Sequence, residues 1–259
     1  MSVLIIQTLS LSKPMNNAAA LFLVTHGSSD PRSWLALQNL VTVARSSSHL
    51  YSDRQISGGC LEGQTLSLAE QLEQFATEVI KGGGSEIVIL PLFLLAGVHV
   101  SEDIPAEVAI AQNKLQDKFA SKLTFRTTAH LGTDSQIPSL LLQQFEKYTD
   151  PNNRERSGRI LVSHGSRRVG ANQVIEDLAR QSHAITAYWG VEPKIETQID
   201  SLLAQGIDKI IVLPYFLTEG GITEAIANKL KPYDDLVQIQ QLPVPLSNEQ
   251  IVSLLVKFI

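Results

Sequence analysis

Residues 86–105 read EIVILPLFLLAGVHVSEDIP, and they predict the organisation of the whole chain. The apolar, β-branched run at residues 87–90 follows three glycines and is typical of a buried strand. Pro91 ends that strand, because proline has no N–H to donate within a central sheet. His99 then lies in a loop before residues 101–103, Ser-Glu-Asp, which predict the first turn of a helix. A histidine between a strand end and a helix start lies where open α/β sheets bind ligands, although His99 alone could be an ordinary surface residue.

Strands and helices alternate along the rest of the first half. Residues 21–24, LFLV, indicate a strand buried on both faces of a parallel sheet, and THGSSDPR follows it. A second, less clear strand is predicted around residues 55–61. The other predicted elements are a helix after Pro31, a helix over residues 102–118, a strand at residues 123–126 and a helix over residues 136–148. Gly63 and Thr65 are predicted to open a further, amphipathic helix, whose inward residues are Leu66, Leu68, Leu72, Phe75, Val79 and Ile80. This alternation predicts an α/β fold with right-handed crossovers.

The pattern repeats after a polar segment. Residues 150–158, DPNNRERSG, are charged and turn-rich and are predicted to be a linker. Residues 159–166, RILVSHGS, then repeat the strand and the His-Gly-Ser ending of the first half, and residues 209–217, KIIVLPYFL, repeat the strand with the Leu-Pro ending. We therefore predict two tandem α/β domains related by internal duplication, each with a parallel sheet of about four strands. The predicted limits are residues 21–149 and 159–259, after a flexible leader at residues 1–20.

Composition and charge exclude several classes of protein. The 259 residues are 44% hydrophobic and 18% charged, which is ordinary for a globular chain with room for two small domains. The net charge of −5 disfavours a nucleic-acid partner, and no run of about 18 apolar residues predicts a membrane span. A single cysteine, Cys60, excludes an intrachain disulfide framework and a multi-cysteine metal site. It fits a reducing, cytoplasmic location.

The leader has an apolar run without a basic residue before it, so the charge order of a secretory signal is missing. A second start at Met15 and a weak targeting segment both stay open as interpretations.

Two histidines occupy matching places in the predicted sheet of the first half. His26 follows the first strand as His99 follows the third, and neighbouring parallel strands end at the same edge, so we expect both side chains in one crevice. Neutral imidazole binds first-row divalent ions such as Fe²⁺, Co²⁺, Ni²⁺ and Zn²⁺, and two imidazoles leave most of the coordination sphere open. Glu62 would reach the same edge and could accept protons or bind the ion briefly, unless it is only an acidic residue ahead of a helix.

The second half lacks one of these histidines. His164 repeats His26, but aligning the two Leu-Pro segments places Ile222 opposite His99. The second half is therefore predicted to have a degenerate site. Glu219 and Glu224 flank Ile222 and could replace a ligand, and Glu192 resembles Glu62 by its position in the second half.

Three motifs taken together resemble those of the sirohydrochlorin chelatases, the class II chelatase family. They are Thr-His-Gly-Ser at residues 25–28, Cys-Leu-Glu at residues 60–62, and Leu-Pro-Leu-Phe-Leu followed by Gly-Val-His at residues 90–99. The resemblance implies a chelatase-like domain in each half, with His26 and His99 binding the metal and Glu62 assisting. It implies a divalent metal, Fe²⁺ or Co²⁺, as a substrate that is inserted into sirohydrochlorin, an eight-carboxylate tetrapyrrole, without a nucleotide. A long chain resembles two short, homodimeric members fused, so a monomer with pseudo-dimeric halves is expected. Iron is favoured because the chain has no histidine-rich tail and no cysteine cluster.

Several residues near the histidines could bind such a ring. Arg32, Arg167 and Arg168 lie just past the two His-Gly-Ser turns and could bind carboxylates, unless they are solvated helix starts. Ser28 belongs to the first of these two turns and is a further candidate for binding the ring. An apolar shelf could be formed by Phe93, Leu94, Leu95, Val98, Phe216 and Leu217, unless these side chains belong to the core.

Three other functions stay open at the level of sequence. The chain could be a cobaltochelatase of cobalamin synthesis, or a carrier that binds metal or tetrapyrrole without catalysing insertion. A hydrolase using Ser28 or Ser166 is disfavoured, because neither serine lies in a Gly-x-Ser-x-Gly turn.

Overall fold

The computed structural model describes residues 19–47, 54–119, 123–151 and 154–259. The strands are β1 (Ala20–Gly27), β2 (Ile56–Glu62), β3 (Glu86–Pro91), β4 (Thr124–Thr127), β5 (Ser157–Ser163), β6 (Ile185–Tyr188), β7 (Lys209–Pro214) and β8 (Gln238–Gln241). The helices are α1 (Pro31–Ser46), α2 (Leu68–Lys81), α3 (Ile104–Phe119), α4 (Ile137–Tyr148), α5 (Gln173–Gln181), α6 (Ile195–Ala204), α7 (Gly221–Leu230) and α8 (Asn248–Leu255). The predicted leader lies outside the described residues except for its last two positions, and Ala20 already begins β1. Among the described residues, no helix has both the length and the apolar character needed to cross a bilayer.

The strands form two parallel sheets with the same order. The first sheet runs β2-β1-β3-β4 and the second β6-β5-β7-β8. The register also repeats, since Val24 pairs with Pro91 in the first sheet and Val162 pairs with Pro214 in the second. Two four-stranded parallel sheets flanked by helices confirm the predicted α/β fold class, and the shared order and register agree with an internal duplication.

Each sheet is covered by helices on both faces, as continuous apolar strands require. On the outer faces, α2 and α3 pack on the first sheet and α6 and α7 on the second. The inner layer contains α1, α4, α5 and α8, and it pairs α1 with α8 and α4 with α5 across the halves. A single apolar core joins side chains of both sheets and of these four helices. The two halves therefore share their largest core, beyond the separate outer cores that each one has.

Polar contacts also connect the halves. Arg159 at the start of β5 has a side chain only 7% exposed, and it donates to Glu146 Oε1 at 2.7 Å and to Thr149 Oγ1 at 2.9 Å at the end of α4. Lys257 Nζ donates to Asp134 Oδ1 at 2.8 Å near the other end of the chain. Because β5 begins at Ser157, the last two residues of the predicted linker belong to the second sheet.

Two predicted helix starts were wrong. The helix expected from Gly63 and Thr65 begins at Leu68, where Ser67 and Glu70 form a capping box. Leu66 consequently precedes the helix and is 36% exposed instead of inward. The helix expected from residue 102 has a π-helical turn, His99–Asp103, ahead of α3, and no side chain caps it. The histidine therefore begins the helical segment and does not lie in the loop before it.

Candidate active site

His26 and Glu62 are brought together by the ends of β1 and β2. Gly27 pairs with Glu62 across the two strands and has a φ of +82°, which favours glycine. A Cβ atom on Gly27 would lie 2.0 Å from the Glu62 carbonyl oxygen, so a larger residue does not fit without moving β2. Where these two strands end side by side, His26 Nε2 lies 3.9 Å from Glu62 Oε1.

His99 reaches the same place from β3. The π-helical turn at its position follows the loop after Pro91, and π-helical turns frequently occur at functional sites. The ring centroids of His26 and His99 are 4.4 Å apart, with an angle of 76° between the ring planes. The structure thus brings together the three residues that the sequence proposed for metal handling.

The hydrogen bonds of the two rings leave the same nitrogen free. His26 Nδ1 is 2.9 Å from the Gly27 carbonyl oxygen, and His99 Nδ1 is 2.7 Å from Asp103 Oδ2. Carbonyl and carboxylate oxygens only accept, so both Nδ1 atoms carry the hydrogen. In the neutral rings, each Nε2 then keeps a lone pair that can bind a metal.

This donor set is open. Among the described residues, no group of three or more His, Cys, Asp and Glu side chains is arranged to hold a metal ion. The side chains of His26 and His99 are 44% and 40% exposed, and that of Glu62 is 63% exposed. Two exposed imidazoles with a neighbouring carboxylate suit an ion that arrives from solvent and leaves again, whereas a structural ion needs a closed shell.

The two histidines lie in the wall of a cleft between the halves. The cleft has a volume of about 1190 Å³, above the roughly 300–1,000 Å³ of ordinary small-molecule pockets. Its apolar lining includes Phe93, Leu95 and Val98 from the first half and Phe216 and Leu217 from the second. A large flat ligand with apolar faces fits such a space.

A family model described as CbiX matches residues 20–148 and 158–255. The chain belongs to the CbiX family. Both halves of the molecule are included in this match to CbiX, together with the two sheets and the cleft between them.

Known proteins similar to the chain carry chelatase names. The sirohydrochlorin ferrochelatase of Priestia megaterium is 24% identical over 168 residues, which are 62% of this chain and 61% of that protein. The sirohydrochlorin cobaltochelatase of the same organism is 23% identical over 161 residues, 58% of this chain and 51% of that protein. The matches thus span less than two thirds of either relative. The structure of SirB from Bacillus subtilis with Fe³⁺ superposes with a TM-score of 0.74 at 17% identity, covering 93% of both chains, and shows that the fold is shared.

The second half of this CbiX chain keeps part of the same arrangement. His164 lines the cleft, and its Nδ1 is 3.0 Å from the Gly165 carbonyl oxygen, as His26 is bound to Gly27. Ile222 lies in the first turn of α7, where the first half has His99. Its acidic neighbours have other partners in this structure, since the Glu219 carboxylate accepts from Val244 N–H at 2.8 Å and the Glu224 carboxylate pairs with Arg32.

The match of Glu192 to Glu62 was wrong. Thr25 pairs with Cys60 in the first sheet, and Ser163, in the same place before the histidine, pairs with Tyr188. Two residues further along, Gly190 therefore occupies the position of Glu62. Glu192 lies beyond it and accepts from Lys194 N–H at 2.9 Å.

The candidate ring-binding residues of this CbiX chain separate into two groups. Ser28, Phe93, Val98 and Arg168 line the cleft, whereas Arg32 and Arg167 do not. Arg32 pairs with Asp30 at 2.6 Å and with Glu224. The hydrogen bonds that Arg32 donates to Asp30 lower the pKa of the Asp30 carboxyl. Among the described residues that line the cleft, Arg168 is the sole lysine or arginine.

The contact between His99 and Asp103 was not predicted from the sequence. Residues 101–103 predict the first turn of a helix, where acidic residues interact favourably with the helix dipole. The spacing of four residues between His99 and Asp103 could have indicated the contact, because residues four apart meet on one face of a helix.

Proposed function

We propose that this chain is a sirohydrochlorin chelatase that inserts a divalent metal ion into the tetrapyrrole ring of sirohydrochlorin. The observation that carries the proposal is the pair of imidazoles, 4.4 Å apart, in the wall of a cleft large enough for the ring. The names of the similar chelatases support it.

The first step is binding of the ion by His26 and His99. Each Nε2 would donate one lone pair to the ion, and Glu62 Oε1, 3.9 Å from His26 Nε2, would stand beside the ion as a proton acceptor. Two imidazole ligands leave positions for water. The pyrrole nitrogens of the ring can replace that water one at a time, so the ion is never fully stripped of ligands.

The second step is removal of protons. Insertion replaces two pyrrole N–H protons with one divalent ion, so two protons leave the ring for each metal inserted. Glu62 lies beside the metal ligands and is exposed, so its carboxylate can accept a proton and pass it to solvent. The histidines that release the ion are then free to accept the other.

The cleft holds the ring against the bound ion. Apolar side chains of both halves contact the ring faces, and the guanidinium of Arg168 binds a peripheral carboxylate. Holding ion and ring in one orientation removes much of the entropy cost of their encounter. The second half, which lacks counterparts of His99 and Glu62, serves in this reaction as a wall of the ring site.

Fe²⁺ is the proposed physiological metal and Co²⁺ the next. The similar proteins include both a ferrochelatase and a cobaltochelatase, so the family accommodates either ion. Nitrogen and oxygen ligands bind first-row ions in a general affinity order, which leaves metal supply as a strong influence on the product. We further propose that the chain acts as a monomer, because its shared core already brings two sheets face to face.

The decisive experiment measures insertion directly. Purified protein, metal-free sirohydrochlorin and Fe²⁺, Co²⁺ or Ni²⁺ are mixed without oxygen, and the absorption change of the ring is followed against a protein-free control. His26→Ala should lower kcat/KM by more than about 100-fold, since loss of a group that merely supports a ligand already costs about 10- to 100-fold. His164→Ala is the matched control and should cost much less.

Two outcomes would contradict the proposal. A protein that binds ion or ring but leaves the insertion rate at the protein-free level is a carrier. A larger loss in His164→Ala than in His26→Ala would place the metal site in the other half.

A further inference from the structure

The two histidines of the site are held in different ways. His26 Nδ1 donates to a backbone carbonyl, that of Gly27, which no side-chain substitution removes. His99 Nδ1 donates to a side chain, the Asp103 carboxylate, at 2.7 Å. The orientation of His99 therefore depends on one replaceable residue.

The π-helical turn holds this pair together, and His99 lines the cleft. His99 and Asp103 are the first and last residues of the turn, and their side chains are 40% and 45% exposed. The turn ends where the Ile104 N–H bonds back to the His99 carbonyl. The second half begins α7 directly with Gly221 and Ile222, so it has neither the π-helical turn nor the histidine.

We propose that Asp103 is a positioning residue for the metal step, a role that rests on the proposed function of the site. Its carboxylate fixes His99 in the tautomer with hydrogen on Nδ1, and so it directs the Nε2 lone pair toward the ion. It also holds the His99 ring close to the His26 ring, at one angle to it, before the ion arrives.

A purely structural role for Asp103 predicts something different. An acidic residue in the first turn of a helix contributes a few tenths of a kcal/mol up to about 1 kcal/mol by interacting with the helix dipole. Removing such a residue would shift thermal stability slightly. It would leave the tautomer of His99 and the affinity for metal unchanged.

The tautomer can be measured without any metal. In protein with isotopically labelled histidine, nitrogen NMR of the imidazoles distinguishes hydrogen on Nδ1 from hydrogen on Nε2. His99 should carry it on Nδ1 in the wild type and in Asp103→Asn, whose amide oxygen can still accept. Asp103→Ala should give a mixture of tautomers, whereas His26, bound to the backbone, should keep its tautomer in every variant and serves as the internal reference.

Metal affinity supplies the second readout. Co²⁺ is titrated into ring-free protein and followed by its visible absorption, and Asp103→Ala should weaken binding by about 10- to 100-fold. Asp103→Asn should recover part of this loss, because it restores the acceptor without the charge. Glu102→Ala is the matched control, since it removes one carboxylate from the same turn without touching His99, and it should leave affinity unchanged.

Failure of this inference can be told from failure of the proposed function. The inference is overturned if His99 carries its hydrogen on Nε2 in the wild type, or if Asp103→Ala matches Glu102→Ala in both tautomer and affinity. Both measurements are made without sirohydrochlorin. A wild-type protein that behaves as described here but never metallates the ring would contradict the proposed reaction and leave the role of Asp103 toward the metal intact.

Discussion

Gly27 determines how closely His26 and Glu62 approach each other. Its positive φ turns the chain after His26, and the missing side chain lets β1 and β2 end in contact, so that Glu62 stands next to His26. The placement of Glu62 beside His26 follows from this one close approach.

Gly27→Ala should therefore damage both stability and the site. The new Cβ would lie 2.0 Å from the Glu62 carbonyl oxygen, in addition to the strain of a left-handed backbone, which costs about 1–2 kcal/mol for a residue other than glycine. Gly206→Ala is the matched control, because Gly206 has a φ of +79° with no atom within 4 Å of its added Cβ. Urea unfolding should show a loss beyond that of the control, and Co²⁺ titration should show weakened binding in Gly27→Ala alone. Equal losses would mean that the contact with β2 is unimportant.

Arg168 and Arg167 allow a test of charge recognition by adjacent residues. Arg168 lines the cleft and Arg167 does not, so Arg168→Ala should raise the KM for sirohydrochlorin about tenfold or more, as expected for loss of a charged hydrogen bond. The KM for the metal should not change. Arg167→Ala removes the same charge from the same loop and should have little effect. Equal effects of the two variants would indicate that only the general charge of the loop matters.

The residues at the site could be predicted to different degrees. His26, His99 and Glu62 follow from strand endings, because a parallel sheet brings such endings to one edge. For the His99–Asp103 contact the sequence offers only the four-residue spacing, which is informative only once a helical turn is known to include His99. The equivalence of Gly190 with Glu62 depends on strand register, which no motif indicates. The ion pair of Arg32 also depends on the fold. Nothing near Arg32 in the sequence indicates that Glu224, in the other half, neutralises it.

At the scale of elements, a nearly buried arginine connects α4 of the first half to β5 of the second. Arg159 is almost fully buried, and besides Glu146 and Thr149 it donates to the Ser182 carbonyl at 3.1 Å. Its hydrogen bond lowers the pKa of Glu146 below the ordinary value. A depressed carboxyl pKa contributes stability above the unfolded-state pKa of about 4.3, and that contribution is lost as pH falls through the lower folded-state pKa.

Glu146→Gln should remove this acid dependence. The variant should lose roughly 1 kcal/mol at neutral pH, a value reduced for the partial exposure of Glu146, and its stability should fall less steeply than that of the wild type below about pH 4.3. Urea unfolding at a series of pH values measures both effects. Arg154→Ala removes the exposed partner of the same carboxylate and should change stability little. Parallel pH profiles for wild type and Glu146→Gln would contradict the assignment.

Element order could be predicted well and element boundaries less well. Apolar runs identified the long central strands β1, β3, β5 and β7, because strands buried on both faces need such runs. The predicted start of α2 was wrong because the sequence offers two signals for a helix start, a turn at Gly63 and the capping box that begins at Ser67. The helix begins after the second. The π-helical turn has no sequence signal of its own, so the true start of the helix that contains His99 was missed.

At the scale of the whole molecule, the shared core makes the halves interdependent. The inner faces of α1 and α4 are covered by α8 and α5 from the other half, so a half alone would expose a large apolar surface. Residues 1–151 expressed alone should therefore self-associate or aggregate. Sedimentation measures the oligomeric state, and a stable, well-folded monomer would show that the shared core is dispensable.

Because Ile222 stands where the first half has His99, the two walls of the cleft are not equivalent. In a pair of identical subunits, an unsymmetrical ligand could bind in two equivalent orientations, and either subunit could deliver the metal ion. In this chain the pair of imidazoles, His26 and His99, lies on one wall of the cleft only. If the chain has the proposed function, a macrocycle bound in this cleft would receive its ion through one face only, from one metal site per chain.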